Sequence, residues 1–126
     1  MNILLTGANG FLGRHIYATL RSCGHQVYVL GRSDMRGSDG YHYFDLLRDS
    51  VDSSDPASAT SYPKFDSSLI TTVTRWPSID VLVNCAGLAP SFNTNSGTER
   101  LIRQTNVDGT ERLLQLLAHT LSLIHI

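Results

Sequence analysis

Three glycines at intervals of three, Gly7, Gly10 and Gly13, follow directly on a short apolar run, Ile3-Leu4-Leu5-Thr6. A run of that length ending at glycine suits a buried parallel strand. Phe11 to Arg21 then carries Leu12, Ile16 and Leu20 on one helical stripe. Gly24 stands where a C′ residue would stop that helix. The glycines therefore sit in a tight turn from a strand into a helix. A helix N-terminus presents unpaired N–H groups and the positive end of a dipole. A diphosphate can sit there when no side chain blocks it. On that reading Gly7 allows the turn, Gly10 lets backbone approach the ligand, and Gly13 lets the helix pack close to the sheet. No Gly-Lys-Ser/Thr follows, which excludes a Walker phosphate loop. The spacing is GxxGxxG rather than the standard dinucleotide GxGxxG.

The rest of the chain repeats the alternation. Gln26–Leu30 (QVYVL) reads as a second strand, Tyr41–Leu46 (YHYFDL) as a third, and Asp80–Cys85 (DVLVNC) as a fourth. Strands separated by helical patterns argue for βαβ units and a parallel sheet. Leu69–Trp76 has strand-like threonines and valine, but parallel neighbours need a crossover, so we expect a short helix ending before Pro77. Residues 49–68 hold seven serines, four aspartates and two prolines, the chemistry of a surface insertion. Ser96 and Glu99 have the capping-box form, so a long helix should follow with Leu101, Ile102, Thr105, Leu113, Leu114 and Leu117 on its buried face.

At 126 residues the chain is about one domain long. A net charge of −1 gives no electrostatic footprint for nucleic acid or acidic lipid. No apolar run is long enough to span a membrane, and no basic n-region with an apolar h-region precedes Gly7, so a signal peptide is not expected. Cys23 and Cys85 are far apart without ligand spacing, and Cys85 reads as a buried thiol. Both suit a reducing cytoplasm. The five histidines show no metal-ligand pairing.

Thr6 to Gly13, TGANGFLG, resembles the cofactor loop of the extended short-chain dehydrogenase/reductase family, the NAD(P)-dependent epimerases, dehydratases and reductases. Val81 to Ala89, VLVNCAGLA, is similar to that family's fourth strand and the Ala-Gly turn after it. Gln104 to Leu117, QTNVDGTERLLQLL, resembles its Asn-Val-x-Gly-Thr helix. The three motifs occur in the family's order and near its spacing. The resemblance implies an α/β fold, a Rossmann-type doubly wound parallel sheet ending here after about four strands, with residues 1–120 as a partial NAD(P)-binding domain. It also implies roles. Gly7, Gly10 and Gly13 would form the diphosphate loop, with Phe11 and Leu12 donating backbone N–H groups. Asp45 and Leu46 match a pair that contacts adenine. Ala86, Gly87 and Leu88 would line the ribose and nicotinamide side, and Asn106 would sit near the catalytic end. Plainer readings stay open: Asp45 as a strand-end cap, Asn106 as a helix residue bonding a neighbouring element, and Gly109 as a packing glycine.

The second strand gives Gly31-Arg32-Ser33 where NAD-specific relatives end on a carboxylate. Arg32 could bind a 2′-phosphate, so NADP is the expected cofactor and NAD the alternative, with Asp34 the acceptor under a shifted register. A small-molecule substrate is implied, and a homodimeric parent is compatible with the resemblance. The family's chemistry resembles a tyrosine-lysine pair assisted by a serine or threonine. No Tyr-x-x-x-Lys occurs here: the one lysine is Lys64. Catalytic residues are therefore expected beyond residue 126, and the 126-residue piece is expected to be inactive. The last six residues, LSLIHI, resemble the in-frame translation of a transposon end used in sequencing libraries, so 121–126 are expected to be non-native. Two rival readings are a non-catalytic NADP-binding sensor on the same fold and a dinucleotide-independent interaction module.

Overall fold

A computed structural model describes residues 1–47, 65–90 and 95–120. In chain order the elements are β1 (Asn2–Thr6), α1 (Phe11–Ser22), β2 (Gln26–Gly31), β3 (Gly40–Tyr43), α2 (Ser67–Arg75), β4 (Val81–Asn84), α3 (Ser96–Arg103), a π-helical turn (Gln104–Asp108) and α4 (Gly109–Thr120). The four strands form one parallel sheet in the order β3-β2-β1-β4. Leu4 sits in register with Tyr28 on one side and Leu82 on the other.

Both faces of this sheet are covered, which is why β1 and β2 read as apolar runs rather than alternations. Leu4, Tyr28 and Leu30 point to a core shared with Leu69 and Val73 of α2 and Leu113, Leu116 and Leu117 of α4. Leu5, Val27 and Val29 point the other way, toward Ile16, Tyr17 and Leu20 of α1. The sheet is doubly wound. The chain moves outward from β1 through β2 to β3, then crosses back to place β4 on the far side of β1. The order reverses between β1 and β4, and in such sheets the crevice at the strands' carboxyl ends there receives ligands.

Local chemistry sets the element ends. Gly24, at φ 83°, donates its N–H to Arg21 O and closes α1 in the left-handed conformation. Asp66 caps α2 by accepting the Ser68 N–H, so this helix begins two residues inside the predicted 49–68 insertion. The helix ends at Arg75, before Pro77 as expected.

Other expectations move. β3 ends at Tyr43, not Leu46, because Asp45 Oδ1 accepts the Leu47 N–H at 2.9 Å and turns the chain out of the ladder. The cap of α3 is Asn95 rather than Ser96: Asn95 Oδ1 accepts the Thr98 N–H at 2.9 Å. Leu101 and Leu114, expected on the buried face, are 41% and 52% exposed, while Leu116 is fully buried. The π turn adds residues per turn, so no single 3.6-residue stripe runs through the whole segment. Residues 48–64, 91–94 and 121–126 lie outside the described residues, and so do most of the predicted insertion and the predicted non-native tail.

Candidate functional site

The glycine loop is built around two close backbone approaches. Gly7 has φ 67°, and a Cβ there would lie 2.4 Å from Cys85 C. A Cβ on Gly13 would lie 2.0 Å from Gly7 O. Neither position can carry a side chain. Gly10 differs: its Cβ would meet only Gly7 O, at 3.3 Å, a contact that a few tenths of an ångström would relieve. Gly10 is the N-cap of α1 and has no side chain to bond the first turn. The first helical bond runs from Arg14 N–H to Gly10 O, which leaves the N–H groups of Phe11, Leu12 and Gly13 without helical acceptors.

Beside this helix end lies a cavity of about 250 Å³ at the carboxyl ends of the strands, by the switch between β1 and β4. It gathers most of the residues singled out from sequence: Gly7, Gly10, Arg32, Asp45, Leu46, Ala86, Gly87 and Leu88 line it. Phe11, Leu12 and Gly13 do not. The side chains of Phe11 and Leu12 are exposed, and only their backbone was expected to contribute. Asn106 does not line the cavity either. It stands behind the wall, where its Oδ1 accepts the Leu88 N–H and its Nδ2 donates to Leu88 O, both at 2.8 Å. Gly109 is a packing glycine, since a Cβ there would lie 2.8 Å from Leu46 Cβ.

Further bonds hold the walls. Thr6 Oγ1 donates to Asn84 Oδ1 and accepts the Ala86 N–H, which locks the end of β1 to the turn after β4. Asn84 Nδ2 donates to Thr110 Oγ1, and Thr110 donates in turn to Asn106 O. Tyr41 OH donates to Gly31 O at 2.9 Å and fixes the strand end that presents Arg32. Burial raises the pKa of that phenol, so it stays a donor. Asn9 Nδ2 bonds Ser33 O and ties the glycine loop to the β2 exit.

Sequence reasoning named neither Phe44 nor Thr105 for the site, yet both line the cavity. Thr105 had been assigned only to a helix face. Cys85, expected to be buried, is half-buried and lines the cavity, and burial pushes its thiol pKa up. Among the described residues no cluster of three or more His, Cys, Asp or Glu could hold a metal. No helix among them is long and apolar enough to cross a membrane.

Residues 3–125 match the model of the NAD dependent epimerase/dehydratase family. The chain is 28% identical over 115 residues to sterol-4-alpha-carboxylate 3-dehydrogenase, decarboxylating, of Dictyostelium discoideum, covering 91% of this chain and 30% of that protein. Among solved structures it resembles a short chain dehydrogenase from Shigella flexneri, with TM-score 0.64, 22% identity, and coverage of 95% of this chain and 49% of that one. It also resembles MoeE5 in complex with UDP-glucose and NAD, with TM-score 0.61, 21% identity, and coverage of 95% of this chain and 33% of that one. The chain thus spans half or less of the length of these proteins.

Proposed function

The chain belongs to the NAD dependent epimerase/dehydratase family, and from that premise we propose that its cavity holds the adenosine diphosphate part of NADP, with NAD as the weaker ligand. The parent protein is then an oxidoreductase, epimerase or dehydratase acting on a hydroxyl or carbonyl substrate. The observation that carries this reading is Gly10. Gly7 and Gly13 are bare because the protein's own backbone fills the space, but little of the protein occupies the space beside Gly10. A bare position next to three unpaired N–H groups fits an anion whose oxygens approach the backbone.

The chain's residues divide the work. The N–H groups of Phe11, Leu12 and Gly13 bind the diphosphate. Arg32 and Ser33 take the 2′-phosphate through a guanidinium and a hydroxyl. Asp45 and Leu46 flank the base. Ala86, Gly87 and Leu88 line the ribose and nicotinamide side, and Asn106 fixes that wall through both polar groups of Leu88. When bound, the dinucleotide supplies a hydride donor or acceptor at its nicotinamide. The UDP-glucose held by MoeE5 supports a nucleotide sugar as one substrate class. The Dictyostelium relative supports a steroid-like alcohol as another.

The test is a titration of the full-length protein with NADP, NAD and ADP. Wild type should bind all three, and Gly10→Val should bind none while keeping the wild-type circular dichroism spectrum. A folded Gly10→Val protein that binds NADP as tightly as wild type would overturn the assignment of the loop.

A further inference from the structure

Gly31 ends β2 and is followed by Arg32 and Ser33. A Cβ at Gly31 would meet nothing within 4 Å, so no packed neighbour fixes the backbone there. A glycine at a strand end has more conformational freedom than any other residue. Hydrogen bonds fix it instead. Gly31 O accepts the Phe44 N–H at 2.9 Å and the Tyr41 hydroxyl at 2.9 Å. Two residues further, Ser33 O accepts from Asn9 Nδ2 at 3.3 Å. Arg32 and Ser33 thus lie between two clamps, one from β3 and one from the glycine loop. Both line the cavity, and Arg32 has no ion-pair partner among the described residues.

Tyr41 itself does not line the cavity. It stands opposite Val29 in the β2–β3 register, and its ring packs against the cluster of Leu5, Ala8, Val27 and Val29 on the α1 face of the sheet. That packing needs no hydroxyl. The hydroxyl's acceptor is the last carbonyl of β2, and the Gly31 C=O shares a rigid plane with the Arg32 N–H. Holding Gly31 O therefore sets the direction in which Arg32 leaves the strand. We propose that Tyr41 is a positioning residue: acting through the Gly31–Arg32 peptide, its hydroxyl holds Arg32 where the guanidinium receives the 2′-phosphate of NADP. This role rests on the reading of Arg32 as the phosphate ligand given above. Its effect is preorganisation, since a backbone already set loses less freedom when the phosphate arrives. NAD lacks that phosphate and gains nothing from it.

The experiment is a double-mutant cycle on the full-length protein, with NADP and NAD affinities measured by calorimetry for wild type, Tyr41→Phe, Arg32→Ala and the double variant. Tyr41→Phe keeps the ring in its cluster, and the Phe44 N–H still satisfies Gly31 O, so the variant folds. It should weaken NADP binding roughly threefold to tenfold, the worth of one hydrogen bond, and leave NAD binding within about twofold. In the Arg32→Ala background the same change should move NADP affinity by less than about twofold, because the group it positions is gone. A tyrosine with a purely structural role would weaken both cofactors together, or act equally with and without Arg32. Either result, or an unchanged NADP affinity in Tyr41→Phe, would overturn the inference. A wild type with no preference for NADP would overturn the reading of Arg32 itself, and the inference with it.

Discussion

Arg32 and Ser33 line the cavity, whereas Asp34, the next residue along the chain, is exposed and outside it. This placement supports the NADP reading over the shifted register that would make Asp34 a ribose acceptor. A charge-assisted bond contributes about 1.5–3 kcal/mol, so the preference for NADP over NAD should be roughly tenfold to a hundredfold. Arg32→Ala should remove most of it and leave NAD affinity nearly unchanged, as read by paired titrations. Tighter binding of NAD than NADP in wild type would point back to Asp34. Much of the lining of this candidate site was legible one residue at a time, because glycine spacing and the residues that follow β2 are local facts. What makes Gly7 obligatory is not local. Its neighbour is the Cys85–Ala86 backbone, brought close only when β4 pairs with β1. Thr105 was hidden for a related reason: it reaches the cavity lining from within the π turn, which no periodicity announces.

Between elements, the entry to β2 is held by one carboxylate. Asp39 accepts the Val27 N–H at 2.6 Å and pairs with Arg21 at the end of α1, so it binds a helix to the strand that carries Arg32. Burial pushes the Asp39 pKa up, but the Arg21 bond and the Val27 N–H outweigh it, and the net shift is downward. A carboxyl with a lowered folded pKa stabilises above its unfolded value and loses that contribution as pH falls through the folded one. The contribution should therefore be whole at pH 7 and fade below about pH 4, the unfolded aspartate range. Asp39→Asn should lower Tm at pH 7 by roughly 2–5 °C, because one such contact is a small part of a small domain's stability. The deficit should shrink as pH is lowered past that range. A deficit that stays constant from pH 7 to pH 3 would show that the carboxylate's charge is irrelevant. Elements were legible wherever one periodicity ran unbroken, as in α1 and β2. The segment from Ser96 to Thr120 was not, since its hydrophobic stripe changes phase at the π turn and leaves Leu101 and Leu114 exposed.

At the scale of the molecule, sheet order places the site and also leaves a consequence for the 126-residue polypeptide. Among the described residues β4 pairs only with β1, so its other edge is open there, and Val81 on this strand is 38% exposed. Leu88, four residues after this strand, lines the cavity and is also exposed. An open parallel edge beside apolar side chains is a template for association. The same polypeptide carries the diphosphate loop and the Arg32 end of the cavity but no Tyr-x-x-x-Lys pair. Binding and chemistry should therefore separate. The purified polypeptide should retain measurable affinity for NADP, transfer no hydride to any carbonyl substrate, and elute larger than a monomer as its concentration rises. Adding NADP should raise its thermal midpoint by mass action, by about 2.7 kcal/mol of stability at a ligand concentration a hundred times Kd. Sedimentation across a tenfold concentration series, with and without NADP, checks the association, and a coupled absorbance assay at 340 nm, the reduced nicotinamide band, checks the chemistry. A concentration-independent monomer would mean that the β4 edge is already protected. Turnover that vanishes in Tyr17→Phe or Tyr43→Phe would mean that a tyrosine inside these residues serves as the acid without a lysine four positions on.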